Sequence, residues 1–370
     1  MSDRIVDRHA SATPEVTAIP SLYGRDIGEL LAPQGARRQF LPGFDDVYAD
    51  IVDYIIRCTH RIWEQKDIGL IETHYSPDCR MHLMTGPIEG VSGVVANTVR
   101  TLAAFPDRTL RGEAVIWSEE GPGRYLTSHR IGSSGLNLGA TEFAPATGRR
   151  ATFRTIANCL CERNLIVEEW LVRDNSALLL DLRLDPRAVA KAQARQDRDA
   201  GGPAEWRQAL MATIMSSPAS HYVGGPLPDP MTDTRAFAHA VFSRIWDHRQ
   251  FGLVRDAYDP GARCYGPGAR ELFGHGEITG WLAALLGCIG DARIVVDHVA
   301  SVVVAEGQLD VAVRWSLAGT HDGVGMYGAP TGRPVYILGV THWRVAAGLI
   351  VEEHIVFDEV ALLRQIEGGL

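Results

Sequence analysis

The sequence predicts an α+β protein built from two similar domains, each with helices first and a mostly antiparallel β-sheet after them. Two observations support this fold class. Short motifs in the first half of the 370-residue chain return in the same order in the second half, about 183 residues later. In both halves, apolar residues are first spaced as on a helix, and runs of β-branched residues typical of strands follow. Helices followed by consecutive strands indicate α+β architecture and not alternating βαβ units.

The internal repeat extends across most of both halves. Ile62-Trp63-Glu64 returns as Ile245-Trp246-Asp247, and Thr147-Gly148-Arg149 returns as Thr331-Gly332-Arg333. Further matched pairs are Arg130 with Arg314, Ile166-Val167-Glu168-Glu169-Trp170 with Ile350-Val351-Glu352-Glu353-His354, and Asp174 with Asp358. We therefore predict an N-terminal extension (1–43), a first domain (44–184), a helical linker (185–229) and a second domain (230–370).

Each domain is predicted to begin with helices. Apolar residues mark one helical face in the first half at Val47, Ile51, Tyr54, Ile55 and Cys58, and in the second half at Phe237, Val241, Phe242 and Ile245. Further helices are expected over 26–31, 90–104, 185–199, 205–215 and 277–286. Gly201-Gly202-Pro203 is expected to separate the two linker helices.

The strands are clearest in the second domain. β-Branched residues are frequent in four segments, 294–304, 310–317, 335–345 and 350–358, and turns that contain glycine separate these segments. Consecutive strands joined by short turns indicate a mostly antiparallel sheet.

Composition limits the classes of partner. The formal net charge is −9, and an acidic surface repels phosphate backbones, so no nucleic-acid partner is predicted. The two lysines, Lys66 and Lys191, lie near a helix end and in the linker, which disfavours Schiff-base chemistry at a buried lysine. The N-terminal segment lacks the apolar core of a signal peptide, and no apolar run has the length of a membrane span. We therefore expect a cytoplasmic protein with no membrane partner.

Motifs for metals and cofactors are weak or missing. Cys159 and Cys161 share one face of a predicted strand, and two interpretations are open: half of a metal site, or small core residues. The second is favoured because no neighbouring His/Cys pair completes a tetrahedral set. The sequence has no nucleophile elbow, dinucleotide fingerprint, phosphate loop or zinc helix. We predict no cofactor, which leaves proton-transfer chemistry or no chemistry.

Several ordered segments resemble a known family. In the second half these are 311–323, 329–333, 350–358 and 362–366, and in the first half 105–107, 147–149, 166–170 and Asp174. Together they resemble SnoaL-like polyketide cyclases and predicted ester cyclases of the NTF2-like superfamily. The resemblance implies two cone domains, each a curved sheet around helices that leaves an apolar pocket for a small molecule. It also implies pairing through the outer sheet faces, so that one chain forms an intrachain pseudo-dimer. Whether two such chains form a homodimer is left open by the sequence.

The resemblance implies that the aspartate at the positions of Asp174 and Asp358 is a general acid/base in an intramolecular aldol cyclisation. Strand geometry places Glu352, His354 and Asp358 on one face of a strand. In an apolar pocket, burial would raise the pKa of such a carboxyl toward neutrality, where proton transfer is efficient. The alternative is structural, since both aspartates precede a segment that can begin a helix and are suited to N-capping it.

Two histidines distinguish the domains. His321 and His342 have Asn137 and Asn158 as their counterparts in the first domain. Either histidine can share a proton relay with Asp358, and the alternative is an ordinary hydrogen-bonded strand histidine. If the relay exists, the difference between the copies favours the second domain as the active one.

The remaining candidates are predicted to bind substrate. Arg130 and Arg314 occupy equivalent strand positions and either clamp a carboxylate or enolate or form salt bridges at the sheet rim. Aromatic and polar candidates for the pocket wall, for which core packing is the alternative interpretation, are Trp170, Trp315, Tyr265, Tyr327, His354 and Asn158.

The hypothesis from the sequence is a cofactor-independent SnoaL-like lyase or isomerase that acts on a small apolar carbonyl compound in the second cone. Asp358 would move the proton, a histidine would assist, and Arg314 would stabilise negative charge. The alternatives are a hydrolase or dehydratase that uses the same aspartate, and a non-catalytic protein that binds a small ligand.

Overall fold

The structure is a computed structural model that describes residues 22, 25–32, 35, 37–201, 204–218, 220–221 and 224–369. Most of the predicted N-terminal extension lies outside the described residues, as do Gly202 and Pro203 of the predicted helix break. The predicted short helix of the extension is present and begins after Asp26, whose side chain accepts a hydrogen bond from the backbone N–H of Gly28.

Within these residues the α-helices are α1 (Ile27–Leu31), α2 (Ile51–Trp63), α3 (Leu70–His74), α4 (Gly90–Ala104), α5 (Asn175–Asp181), α6 (Pro186–Asp199), α7 (Glu205–Ser216), α8 (Thr234–Ala240), α9 (Val254–Ala257), α10 (Gly274–Leu286) and α11 (Glu359–Ile366). A π-helical segment, Val241–Asp247, continues α8, and a short 3₁₀ turn, Phe251–Leu253, precedes α9. The predicted helices of both halves and of the linker coincide with members of this set to within a few residues.

The strands are β1 (Tyr75–His82), β2 (Ile88–Glu89), β3 (Thr109–Gly121), β4 (Arg124–Leu136), β5 (Arg150–Glu162), β6 (Leu165–Arg173), β7 (Tyr258–Gly266), β8 (Arg270–Phe273), β9 (Arg293–Ala305), β10 (Gln308–His321), β11 (Arg333–Ala346) and β12 (Leu349–Phe357). They form two six-stranded sheets of equivalent topology, β2-β1-β6-β5-β4-β3 and β8-β7-β12-β11-β10-β9. In each sheet one pair is parallel, β1 with β6 and β7 with β12, and the other pairs are antiparallel. The predicted α+β class with two NTF2-like cone domains and mostly antiparallel sheets is confirmed.

Each cone holds its first long helix against the inner face of its sheet. In the first domain, Ile55 and Cys58 of α2 belong to one buried cluster with Cys159 and Cys161 of β5. Both cysteines of β5 are buried and free, as the core interpretation expects. Apolar side chains at helical spacing and at alternate strand positions meet here, so the cluster fixes the position of α2 across the sheet.

The outer faces of the two sheets lie against each other. The hydroxyl of Ser128 on β4 lies 2.7 Å from Nε2 of His342 on β11. Near the other edge, Ile116 of β3 packs against Ala300 of β9 and Ala312 of β10. Both faces of the central strands are therefore covered, one by the interior of a cone and the other by the opposite sheet.

Helix α6 of the linker forms hydrogen bonds with the C-terminal part of the chain. Nε of Arg364 on α11 donates to Asp197 on α6 at 2.6 Å, and Arg198 donates to the carbonyl of Glu367 at 2.7 Å. These contacts hold α11, and the residue that caps its N-terminus, in a fixed position near the first domain. Of the described helices, none has the length and apolar composition that crossing a membrane requires.

Candidate functional site

The first cone encloses a small polar cavity, which we name the inner chamber. Its volume is about 50 Å³, and apolar residues of α2, α4 and the inner faces of β4, β5 and β6 form most of its wall. Polar side chains that line it are Thr59, Tyr75, Asn97, Thr98, Arg108, His129, Thr155, Glu169 and Arg173. Empty interior cavities are apolar, so a cavity with this many polar groups is suited to hold water or a polar ligand.

Glu169 is the acidic group of the inner chamber. It projects inward from β6, is 5% exposed, and accepts a hydrogen bond from the hydroxyl of Tyr75 at 3.2 Å. Burial raises the pKa of Glu169 to about 7, and the bond from Tyr75 opposes this rise. The carboxyl is therefore only partly ionised near neutral pH.

Arg108 reaches the same chamber from the segment before β3. Its Nη2 donates to Ser133 Oγ at 2.9 Å, and its guanidinium lies 4.4 Å from the ring centroid of Trp63. Nε and Nη1 of Arg108, and Nε of Arg173, have no hydrogen-bond partner in the described part of the chain. Burial lowers the pKa of Arg108, and the neighbouring positive charge of Arg173 lowers it further.

His129 and Thr155 complete the polar wall. His129 Nδ1 lies 3.4 Å from Thr59 Oγ1, and its Nε2 has no partner among the described residues. Burial lowers the pKa of His129 to about 4, so the ring is neutral at pH 7. The hydroxyl of Thr155 is buried and is also without a partner within the described residues.

A larger cavity, which we name the outer chamber, lies at the mouth of the first cone. Its volume is about 630 Å³, within the range of small-molecule sites. Its walls come from the turn between β1 and β2, the end of α4, the loop 140–143, the end of β6 and the start of α5. The two chambers share Asn97, Leu171 and Arg173 as lining residues, so they adjoin and form one site.

Asp358 of the second domain lines the outer chamber of the first domain. Its Oδ1 accepts from the backbone N–H of Ala361 at 3.0 Å and caps α11, while its Oδ2 accepts from Asn175 Nδ2 at 2.6 Å. Burial, together with the negative charge of Glu142, raises the pKa of Asp358 to about 7; these hydrogen bonds and the positive charge of Arg173 oppose the rise. Asp358 therefore caps α11 and also lines the outer chamber, so the two interpretations offered for it do not exclude each other.

Asp174, the counterpart of Asp358, has different surroundings. It caps α5 through the N–H of Ala177 at 3.0 Å, and it also accepts from the backbone N–H groups of Gly268 at 2.8 Å and Ala269 at 3.2 Å. Asp174 is not on the wall of either chamber. Its oxygens are occupied by the turn between β7 and β8, which indicates a structural role.

The interior of the second cone is filled by aromatic side chains. Trp246, Trp315 and Trp343 are at most 1% exposed and pack with Phe242 and Phe357. At the positions equivalent to the polar wall of the first cone, the second has apolar or smaller residues: Ala292 for Arg108, Val313 for His129, Gly339 for Thr155 and Phe357 for Arg173.

Seven of the predicted site residues lie between the two sheets and not inside a cone. His342 and Asn158 both contact Ser128, at 2.7 Å and 2.6 Å. The guanidinium of Arg314 lies 3.5 Å from the ring centroid of Trp170. The others of this group are Arg130, which donates to Glu113 at 3.0 Å, and His354, which stacks on Tyr265 at 4.6 Å. Of these contacts, His342 with Ser128 and Arg314 with Trp170 join the two domains, and the others lie within one domain.

The other predicted residues lie in the second domain. Trp315 is part of the aromatic core, and its Nε1 donates to Thr341 Oγ1 at 3.0 Å. Tyr327 donates to Glu359 at 3.0 Å. His321 Nδ1 lies 3.1 Å from Thr331 Oγ1 at the end of β10. Of the predicted catalytic set, the structure brings Asp358 alone to the wall of the chambers.

Sequence reasoning missed the polar wall of the first cone. It selected the strand face that holds Trp170 and His354, whereas the inward face of β6 holds Glu169 and Arg173. The signal was available in the repeat: at each of four inward positions one copy is polar and the other is not. Comparing the copies position by position, instead of seeking what they share, would have indicated the first cone.

The fold and the site define a protein with two cones, one open and polar and one filled. The family model that describes the SnoaL-like polyketide cyclases matches residues 54–182 and 237–366, more than half of the chain, and the chain belongs to this family. The two matched segments also agree with the tandem arrangement expected from the repeat.

Solved structures similar to this chain each match one domain. TsrD from Streptomyces laurentii is 22% identical and aligns over 35% of this chain and 93% of its own, with a TM-score of 0.31. A protein from Jannaschia sp. CCS1 described as a SnoaL-like polyketide cyclase is 21% identical over 40% of this chain and 100% of its own, with a TM-score of 0.33. IdmH from Streptomyces antibioticus is 22% identical over 36% and 98%, with a TM-score of 0.31. No curated protein matches the chain.

Proposed function

We propose that this protein is a cofactor-independent lyase or isomerase of the SnoaL-like type, with its working site in the first cone and its proton-transfer residue supplied by the second domain. The observation that carries this proposal is Asp358, a buried carboxyl with a pKa of about 7 on the wall of a chamber of about 630 Å³. A carboxyl with a pKa near the working pH both accepts and returns a proton efficiently.

The chemistry follows from this placement. The carboxylate of Asp358 removes a proton from the carbon next to a carbonyl of the bound compound, which leaves an enolate. Arg173 lines both chambers and is the neighbouring cation that stabilises the negative charge on the enolate oxygen. In a cyclisation, the enolate carbon bonds to a second carbonyl carbon, whose C=O π bond opens to an alkoxide, and the acid form of Asp358 gives its proton to that oxygen. In an isomerisation, the acid form of Asp358 protonates the delocalised enolate at a different carbon. No proton is gained or lost over the cycle.

The first cone is a better candidate for the site than the second for two reasons. The second cone is filled by tryptophan side chains, and the inward polar groups of the first cone are replaced there. We infer that the second domain instead acts as the partner in an intrachain pseudo-dimer, which covers the outer face of the first sheet and holds Asp358 at the outer chamber. A further dimer of whole chains stays a prediction.

The test compares wild type with Asp358→Asn and Asp174→Asn. Each purified protein is incubated with a small-metabolite extract of the source organism, and untargeted mass spectrometry records which compounds are consumed. Asp174→Asn is a matched control, since both residues are buried N-caps and asparagine preserves capping. Wild type and Asp174→Asn are expected to consume the same compound, and Asp358→Asn to do so about a hundredfold to ten-thousandfold more slowly.

Other outcomes have definite meanings. Equal consumption by all three proteins would remove Asp358 from the reaction. Loss of consumption in Asp174→Asn alone would move the site to the second domain. A compound that stays bound to wild type without being converted would favour a ligand-binding protein over an enzyme.

A further inference from the structure

The inner chamber carries more positive than negative charge. Arg108 and Arg173 are guanidinium groups, which stay protonated in proteins. The acidic group facing them, Glu169, is held by Tyr75 and has a pKa of about 7, so it balances at most part of this charge. His129 is neutral at pH 7 because burial lowers its pKa to about 4. The carboxyl groups of Glu142 and Asp358 also act on Arg173, whereas among the described residues no carboxyl group is found to act on Arg108, so the excess positive charge of the chamber lies at Arg108.

The same chamber has donors without acceptors. Nε and Nη1 of Arg108, Nε of Arg173 and Oγ1 of Thr155 are buried and have no hydrogen-bond partner in the described part of the chain. Arg108 is only 5% exposed, and stacking on Trp63 compensates its charge in part. Leaving buried donors and a buried charge unpaired is costly, so such groups call for a partner, which is ordered water, an ion or a ligand; beside a chamber that can admit a small molecule, a ligand is the candidate we develop.

The volume of the chamber limits the anion. About 50 Å³ is room for about three to five water-sized groups, since each needs about 10–15 Å³ of such space. A carboxylate has three heavy atoms and two acceptor oxygens that match guanidinium donors, whereas a phosphate group is larger. The inner chamber shares Asn97, Leu171 and Arg173 with the outer chamber, whose volume of about 630 Å³ accommodates the rest of a small molecule.

We propose that the substrate is a carboxylic acid whose carboxylate enters the inner chamber and pairs with Arg108 and Arg173, while its reacting carbonyl portion stays in the outer chamber beside Asp358. This inference rests on the proposed function for the placement of the reacting atoms. It narrows the substrate class from carbonyl compounds in general to acids that carry a carbonyl group.

The second domain supports the assignment. At the positions of Arg108 and Arg173 it has Ala292 and Phe357, and these buried residues belong to its apolar core. Both cones keep the equivalent acid and tyrosine: Tyr258 donates to Glu353 at 3.0 Å, as Tyr75 donates to Glu169. The tyrosine–glutamate pair is thus common to both cones, and the two arginines are specific to the cone with the chambers.

The test uses two probes of equal size and different charge, benzoate and benzamide, with full-length protein and calorimetric titration. Benzoate is expected to bind wild type, and benzamide to bind more weakly by at least about tenfold. Arg173→Gln and Arg108→Gln are each expected to weaken benzoate binding by about tenfold to a hundredfold. Arg314→Gln is the matched control: it removes a buried arginine between the sheets and is expected to leave benzoate binding unchanged.

Three results would overturn the proposal: benzamide binding as tightly as benzoate, no benzoate binding to wild type at millimolar concentration, or unchanged binding in Arg173→Gln. Arg173 is only partly buried, so its variant remains informative if Arg108→Gln does not fold. The carboxyl resonance of ¹³C-labelled benzoate on wild-type protein gives a readout that needs no variant, because ion pairing in a buried site shifts it from the free value.

The two proposals fail in different ways. Conversion of a neutral compound by wild type and not by Asp358→Asn would support the proposed function and contradict the carboxylate site. Benzoate binding that depends on Arg108 and Arg173, in a protein that converts nothing, would support the anion site and contradict the enzyme.

Discussion

Asp358 and Asp174 occupy the same position in the repeat, and both cap a helix with one carboxylate oxygen. Their further partners differ. Asp174 accepts from the backbone N–H of Gly268 at its capping oxygen and from that of Ala269 at its other oxygen, whereas the other oxygen of Asp358 accepts from the side chain of Asn175. Backbone donors fixed by a turn favour the ionised form, so a carboxyl with fewer of them in a buried position keeps its proton to higher pH.

The raised pKa of Asp358 makes a prediction about stability. Because its pKa is about 7 in the folded chain and near 3.9 in the unfolded chain, the folded state binds the proton more tightly. This contribution to stability is fully present below about pH 4 and is lost as the pH rises through about 7. Asp358→Asn is neutral at every pH and keeps the N-cap, so it should lose less stability over this range.

The measurement is urea unfolding of wild type and Asp358→Asn at about pH 5 and about pH 8, where the difference in unfolding free energy reports the proton linkage. Between about pH 5 and about pH 8, we expect the unfolding free energy of the variant to rise relative to that of wild type by a few kcal/mol, since one pKa unit corresponds to about 1.36 kcal/mol. Equal pH dependence of the two proteins would show that Asp358 is ionised in the folded state throughout.

At the scale of elements, the helices and the order of strands were predictable because their apolar periodicity is local. Which face of each strand points into the cone was not predictable. The burial of β10 is continuous from Leu309 to Gly319, since one face lies in the cone and the other against the first domain. A strand covered on both sides has no apolar and polar alternation to distinguish the faces. This is why His342 and Arg314 were predicted in a pocket and lie between the sheets.

The filling of the second cone depends on one cross-strand pair. Trp315 on β10 lies opposite Gly339 on β11, at the positions that Ile131 and Thr155 occupy in the first cone. A Cβ added to Gly339 would overlap the ring of Trp315. We expect Gly339→Thr to destabilise the protein by about 1–3 kcal/mol or more, because a packed core does not accept added volume.

The matching change Trp315→Ile should relieve this overlap. In a protein that already carries Trp315→Ile, Gly339→Thr is expected to lower the unfolding free energy by less than it does in wild type. A double-mutant cycle measured by urea unfolding should give a coupling energy of about 0.5–3 kcal/mol between the two changes. Gly280→Thr serves as the control, since Gly280 is exposed on α10 with open space around its Cα. Additive effects of the two core changes would show that the tryptophan does not pack on Gly339 in solution.

At the scale of the whole molecule, the arrangement of the two domains determines where the chemistry lies. The inter-sheet contacts and the contacts of α11 with the linker bring Asp358 to the first cone, although Asp358 belongs to the second half of the chain. A local sequence pattern does not predict a contact between residues that lie this far apart along the chain. The repeat predicted two cones, and a position-by-position comparison of the copies would have indicated the first as the polar one, but the placement of Asp358 at that cone required the packed structure.

The inter-sheet contact also gives the molecule a sensitivity to acid. His342 is fully buried between the sheets, where its Nε2 lies 2.7 Å from Ser128 Oγ and the charge of Arg130 is near. Burial, followed by the charge of Arg130, lowers the pKa of His342 far below its ordinary value of about 6.5. Below that value the unfolded chain takes up a proton that the folded chain does not, so this contribution to stability is lost as the pH falls.

His342→Asn introduces the residue that the first domain has at the equivalent position, Asn158, and keeps a hydrogen-bonding group for Ser128. We therefore expect the variant to lose less stability than wild type between about pH 7 and about pH 5, measured by urea unfolding with tryptophan fluorescence. His275→Gln, which removes a histidine on α10 away from the inter-sheet contact, is the control and should follow wild type. If His342→Asn and wild type lose stability equally on acidification, the acid sensitivity belongs to other buried histidines, and the contact between the sheets does not depend on a neutral His342.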